Sequence, residues 1–191
     1  MIVRTGINEE RTIMESKRIA WAVPGAGHEL EGCVNLLLKY KRADIFLSRA
    51  AEEVLVIYDL FKRLDAAGIS IFRTTGASSP VIGKLFSGVY QTVVVAPATS
   101  NSVAKFVYGI SDTLIANLFS QAGKAHIPVI VLPTDRSDAM DSLGPHNERI
   151  QVYPRAVDLE NTAKLKSFSG VSVAGSLTEL EQLLAGFASI H

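Results

Sequence analysis

Two rhythms alternate along this chain. Short runs of nearly continuous apolar residues recur at Arg18–Val23 (RIAWAV), Ala43–Ser48 (ADIFLS), Ile69–Arg73 (ISIFR), Thr92–Ala96 (TVVVA) and Ile127–Pro133 (IPVIVLP). Each has the length and the bulk of a buried strand. Between them the spacing turns helical. After His28, the apolar residues Leu30, Cys33, Val34, Leu37 and Leu38 fall on one stripe. The spacing predicts one helix over 50–68, with Gly68 as its left-handed terminator. A short helix follows from Pro80, with Ser79 as N-cap and Pro80 in the first turn. Another runs from Asn101 to about Gly123, bent or broken at Gly109, with Ser100 or Asn101 as the candidate cap. From Asp135 to Arg155 the pattern lapses into polar residues, Pro and Gly, which predicts a long loop. The tail predicts a short helix near Asp158–Ser167, a strand in GVSVAG, and a helix over Leu177–Phe187 capped by Ser176.

Strands alternating with helices predict an α/β fold: a Rossmann-like (flavodoxin-type) doubly wound parallel sheet, three-layer αβα, with right-handed crossovers. Residues 1–17 read as an N-terminal extension and 18–191 as a single domain. A chain of 191 residues suits one domain of about 100–200 residues.

Charge and composition narrow the function. Lys plus Arg equals Asp plus Glu at 19 each, so nothing points to a nucleic-acid partner. One cysteine, Cys33, excludes an internal disulfide and a cluster held by several thiolates of one chain. The four histidines show no ligand spacing, and no metal site is expected. The first residues are not a secretory leader, and no run approaches the ~20 apolar residues of a membrane span. The expectation is a cytoplasmic protein with no membrane partner.

In an open α/β sheet, ligands bind outside the carboxyl ends of the strands. Those ends carry Pro24, Gly25, Ala26, Gly27 and His28; then Ser48 and Arg49; then Thr74–Ser79, with Ser78 and Ser79; then Pro97, Ala98, Thr99, Ser100 and Asn101; then Pro133–Arg136. Most are small or hydroxylic. They let a ligand approach backbone N–H groups, and helix N-termini favour an anion such as phosphate. Gly25-Ala26-Gly27 is not followed by the third glycine of a dinucleotide fingerprint, and Ser48-Arg49 stands where an acid would hold a ribose. A mononucleotide is favoured; an NADP ribose phosphate on Arg49 is the rival. Singly, each residue has a plain explanation as a cap, a turn or a solvated side chain. Their convergence at one sheet edge is harder to explain that way.

The segments APATSNSVAK, YGISDTLIANLF and GKAHIPVIVLP resemble the signature of the homo-oligomeric flavin-containing flavoproteins. RIAWAVPGAGHELEG, DIFLSRAAEEVL and ASSPVIGKLFSGVYQTVVVAPATSN look closest to the archaeoflavoprotein branch, which includes dihydromethanopterin reductases. The likeness covers about Arg18 to Pro133. It implies FMN bound non-covalently between subunits, and an FMN-dependent oxidoreductase driven by NADH or NADPH. A dihydromethanopterin-like pterin is the implied acceptor, reached by a ping-pong relay. Gly25, Ala26 and Gly27 would shape the flavin loop, with His28 beside it. Ser48 and Arg49 would meet the phosphate, and Pro97–Asn101 would flank the ring. Asp112 would belong to the GISD wall, and Ser78 and Ser79 would serve phosphate or cross-subunit contact. The resemblance also implies trimers and their multiples, up to a dodecamer or larger closed shell. The decarboxylases of the superfamily carry a histidine between the third and fourth strands, and Ile69–Ala96 has none. Their lid motif after the fifth strand is replaced here by PTDRSDAM. Decarboxylation is thereby disfavoured; the alternatives are an FMN prenyltransferase or decarboxylase-like enzyme of the same superfamily, or a flavin electron carrier without a specific pterin substrate.

Overall fold

The computed structural model describes residues 17–73, 80–137, 139–146 and 148–187. In chain order the elements are β1 (Arg18–Val23), α1 (Leu30–Leu37), β2 (Ala43–Leu47), α2 (Arg49–Ile57), α3 (Phe61–Ala66), β3 (Ser70–Arg73) and a 3₁₀ helix (Pro80–Ser87). There follow β4 (Tyr90–Ala98), α4 (Ser100–Tyr108), α5 (Leu114–Lys124), β5 (Val129–Pro133), β6 (Met140–Leu143), β7 (Arg149–Val152), α6 (Ala156–Leu165), β8 (Val171–Val173) and α7 (Leu177–Ala185). Six strands form one sheet in the order β3-β2-β1-β4-β5-β8, and every pairing in it is parallel. This is the doubly wound α/β architecture that the strand–helix alternation predicts.

Side chains alternate across the sheet and build a core on each face. Ile19, Trp21 and Val23 of β1 join Ile45, Leu47 and Ile130 under Leu37, Leu55, Leu64 and Leu180 of α1, α2, α3 and α7. Ala20, Ala22, Phe46, Val93 and Val95 point the other way, against the 3₁₀ helix and α4–α6. There Phe106 and Phe119 stack with ring centroids 4.1 Å apart. Burial on both faces is why these strands read as unbroken apolar runs.

The helix expected over 50–68 is two helices. Asp59 takes the left-handed conformation (φ 53°). The Leu60 N–H donates to the Leu55 carbonyl at 2.8 Å and the Asp59 N–H to the Val56 carbonyl at 3.0 Å. That pair of bonds is a Schellman stop, made with Asp where Gly is usual, so no glycine announces it in the sequence. The same stop recurs at Gly109 (φ 69°), where Ile110 N–H reaches the Lys105 carbonyl at 2.9 Å. Here the expected break between α4 and α5 is found. The cap of α4 is neither Ser100 nor Asn101 but Thr99, whose hydroxyl accepts from the Ser102 N–H. The predicted Ser79 cap lies outside the described residues.

The expected loop over 135–155 contains an antiparallel hairpin, β6 with β7, pairing Met140 with Val152 and Leu143 with Arg149. Its residues are mostly exposed, so no buried face imposed an apolar alternation on the sequence. Tyr58 on the α2–α3 turn donates its hydroxyl to the Leu143 carbonyl at 3.1 Å, tying hairpin to body. Among the described residues, no helix is long and apolar enough to cross a membrane.

One buried charge pins the start of three strands. Asp44 of β2, 3% exposed, accepts from the Arg18 guanidinium of β1 and from the Tyr90 hydroxyl of β4 at 2.7 Å. Burial, and then the hydrogen bond to Asp44, push the Tyr90 phenol well above its ordinary pKa. Replacing Tyr90 with Phe leaves a buried carboxylate short of a donor. The expected cost is about 1.5–3 kcal/mol in denaturant unfolding, whereas Tyr153→Phe on the exposed surface should cost far less.

Candidate functional site

Strand β1 pairs with β2 on one side and β4 on the other. The chain therefore reverses its direction of travel across the sheet between β1 and β4. The loops that leave their carboxyl ends part to opposite faces and open a crevice, the place where ligands bind in such sheets.

The β1 loop forms one wall. Gly25 has φ +112°, and a Cβ there would lie 2.9 Å from the Ala50 carbonyl carbon, the Ala50 Cβ and the Ala51 nitrogen. The loop is pressed backbone-to-backbone on the first turn of α2, which a larger residue would prevent. At Gly27 a Cβ would sit 2.6 Å from the Tyr58 hydroxyl. Ala26 is buried and His28 half-buried, two residues ahead of α1. Glu29 is left-handed (φ 58°). Its carboxylate accepts from Arg136 Nη1 at 2.8 Å, and that nitrogen also donates to the Pro133 carbonyl at 2.8 Å. This half-buried ion pair joins the β1 and β5 loops. Sequence reasoning singled out Arg136 as a strand-end residue but not Glu29, because nothing in a linear pattern pairs residues 107 positions apart.

Ser48 braces the same wall. Its hydroxyl donates to the Pro24 carbonyl at 2.8 Å and accepts from the Ala51 N–H at 3.0 Å, so it also caps α2. The Arg49 side chain is 86% exposed, 3.4 Å from Glu53. It is thus free to turn toward an anion at the helix start. The backbone N–H groups of Arg49 and Ala50 belong to the first turn, where no intrahelical acceptor exists.

The β4 loop forms the facing wall. Pro97 and Ala98 are buried, Thr99 and Ser100 half-buried, and Asn101 exposed. The Ala96–Pro97 peptide is cis. Thr134 holds the strand end, its N–H donating to the Ala98 carbonyl at 2.9 Å and its hydroxyl to the same oxygen at 3.2 Å. Asn101 finds no hydrogen-bond partner among the described residues and caps nothing. Asp112 is placed differently. It accepts from Lys105 Nζ at 2.7 and 2.9 Å, about one and a half turns into α4 from Ser100. The Lys105 ammonium holds its carboxyl below the usual carboxylate range. The strand order thus brings Gly25–His28, Ser48–Arg49 and Pro97–Asn101 to one edge of the sheet, while Asp112 is paired with Lys105 on α4. Ser78 and Ser79 lie outside the described residues.

Among the described residues no group of three or more metal-ligating side chains is found. A cavity of about 440 Å³ opens at the opposite, amino-terminal edge of the sheet, bordered by Lys17, Tyr90, Gln91 and His126. It holds none of the residues gathered at the crevice.

The first-turn N–H groups of α2 could receive an anion such as phosphate, and the small side chains on both walls leave backbone exposed to the gap. Residues 7–191 match the model of the Flavoprotein family. The chain belongs to that family. It is 44% identical to DmrB of Burkholderia xenovorans, whose crystal structure in complex with FMN is described as a cubic protein cage for redox transfer. The two folds superpose with a TM-score of 0.82 over 90% of this chain and 94% of that one. An uncharacterized protein of Methanocaldococcus jannaschii is 35% identical over 87% of this chain and 94% of its own length. A dihydromethanopterin reductase (acceptor) of Methanosarcina mazei is 40% identical over 70% of this chain, which spans 62% of that reductase.

The two glycines should respond differently to Ala. Gly25→Ala forces both a strained φ and a backbone collision, and should cost roughly 1–3 kcal/mol together with loss of ligand retention. Gly27→Ala meets the end of the Tyr58 side chain and no backbone; moving it gives up one exposed hydrogen bond to Leu143, so the effect should be milder. Paired thermal melts and ligand titrations of the two variants check this; equal losses would refute the assigned close approach.

Proposed function

We propose that residues 18–191 act as one flavoprotein domain that binds FMN in the β1–β4 crevice. There the domain transfers reducing equivalents from NADH or NADPH to a dihydromethanopterin-like pterin. The balance is NAD(P)H plus a proton plus the dihydropterin, giving NAD(P)⁺ and the tetrahydropterin. The observation that carries the reading is the crevice: a left-handed glycine wall, a capped helix start with open N–H groups, and a second helix start opposite. Support comes from the 44% identity to an FMN-bound cage protein and from the reductase relative at 40%.

When bound, FMN supplies the two-electron exchange that no side chain can perform. The protein supplies binding and electrostatics. Arg49 and the first-turn N–H groups of α2 neutralise the phosphate. Gly25, Ala26 and Gly27, with His28 beside them, shape the loop against the ring, and Pro97–Asn101 flank it. The N–H groups at the start of α4 favour negative charge added to the ring. Donor and acceptor take turns at one open face, a ping-pong order that predicts parallel double-reciprocal lines.

Copies of the chain associate, in this reading as trimers built into a larger shell. Val56 and Ile57 at the end of α2 and Leu143, Ile150 and Val152 of the hairpin are exposed apolar residues, and the Tyr58–Leu143 hydrogen bond brings the two groups side by side. Ser78, Ser79 and Asp112 are then candidates for cross-subunit contact. The fully buried thiol of Cys33 suits a reducing compartment, the cytoplasm.

An anaerobic visible spectrum before and after NADH and NADPH tests the reading. A flavin band bleached by either nucleotide and restored by the dihydropterin is expected. A band that neither bleaches, in a protein that yields no tetrahydropterin, would overturn the reductase assignment. Asn101→Asp places a charge at the second residue of α4 without removing its cap. It should weaken FMN binding about tenfold or more and lower the flavin potential; unchanged content and potential would remove Asn101 from the site.

A further inference from the structure

The β4 strand is irregular just before its loop. Its ladder with β5 pairs Val95 with Val131 and resumes at Ala98 with Pro133. Three steps on β4 thus face two on β5, a bulge of one residue. On the other side, the ladder with β1 ends at Ala22 with Val95. Ala96 therefore stands past its last β1 partner and inside the bulge, and Pro24, whose N–H would come next in that ladder, has none to donate to the Ala96 carbonyl. The Ala96 carbonyl lies in a fully buried residue, where an unmet acceptor is costly.

Its partner is a side chain. Trp21 of β1, 0% exposed, donates its indole Nε1–H to the Ala96 carbonyl at 3.0 Å. Trp21 pairs in register with Val94, so the indole reaches two residues along β4, over the same face of the sheet. A Phe or Leu at this position would fill the core and leave the carbonyl orphaned.

We infer that Trp21 is a positioning residue for the ligand loop: its indole N–H replaces the missing ladder bond at Ala96 and so fixes where Pro97–Asn101 stand in the crevice. The inference rests on the reading that this loop flanks FMN. Trp21 does not touch the ligand. It acts through the Ala96 carbonyl, held from the β1 side as Thr134 holds Ala98 from the β5 side. The bond crosses from β1 to β4, the two strands whose loops form the opposing walls. It therefore sets the spacing of the walls as well as the height of one of them.

The chain has one tryptophan, so biosynthetic replacement with benzothienylalanine, which exchanges the indole N–H for sulfur and keeps the ring shape, alters this position alone. Trp21→Phe serves as a second variant. The full-length protein is compared in each form for apoprotein melting temperature, FMN dissociation constant and flavin midpoint potential. The expected result for the isostere is a melting temperature lower by a few degrees, a dissociation constant about five- to tenfold higher, and a lower potential. The loosened N–H groups of the α4 start should support less added charge on the ring. Unchanged affinity and potential would overturn the inference. So would a fall in melting temperature and affinity with the potential untouched, because that is what a packing role alone produces. Failure of the unaltered protein to take up FMN would instead overturn the flavin reading, and the inference with it.

Discussion

The reversal of strand order at β1 is the constraint on which the rest of the structure depends. Parallel strands joined by right-handed crossovers must send their helices to one face or the other. β1 stands where the direction changes, with β2 built outward on one side and β4 on the other. The backbone that leaves β1 and the backbone that leaves β4 cannot fill the same space. Ser48, Gly25 and the α2 first turn close one wall. Thr134, Thr99 and the α4 first turn close the other. What remains between them is a gap with unpaired N–H groups at its rim.

The strands and most helices were legible because burial on two faces leaves a dense apolar signature. Val93–Ala96 and Val129–Pro133 have no other reasonable home than a central parallel sheet. The gathering of Gly25–Gly27, Ser48–Arg49 and Pro97–Asn101 followed from their place at strand ends. What escaped the sequence had weak local markers or long-range causes. Asp59 ends α2 in a conformation usually given to glycine. The hairpin at Met140–Val152 buries too little to impose a pattern. Thr99 outcompeted Ser100 and Asn101 as cap because the register of the first turn, and not residue type, selects among adjacent polar residues. Asp44 reads as one polar letter in an apolar strand, and its partners Arg18 and Tyr90 are 26 and 46 residues away. Asp112 belongs to the same short motif as the crevice residues, yet the single chain holds it against Lys105.

Electrostatics are arranged in two tiers along β1. At the amino end of the sheet, Arg18 Nη2, both Asp44 oxygens and the Tyr90 hydroxyl are matched to one another, while the buried Arg18 Nε finds no partner among the described residues; this set acts on the fold. At the carboxyl end, Glu29 with Arg136 is tightly matched and half-buried, Arg49 is only loosely paired with Glu53 at the surface, and the first α2 amides have no intrahelical acceptor. The asymmetry leaves the carboxyl-end rim the less completely neutralised of the two.

The sheet also separates two cores that do not share side chains. Leu180 and Leu184 of α7 pack in the layer that contains Trp21, while Phe106 and Phe119 pack in the other. Substitutions made in opposite layers and on different helices share few contacts through which to couple, and their effects should sum. Sequence drift can therefore proceed in much of the α4–α6 layer independently of the other, the Trp21–Ala96 bond being the exception. The two halves of the molecule are free to diverge at different rates while one backbone plane keeps the crevice walls in register.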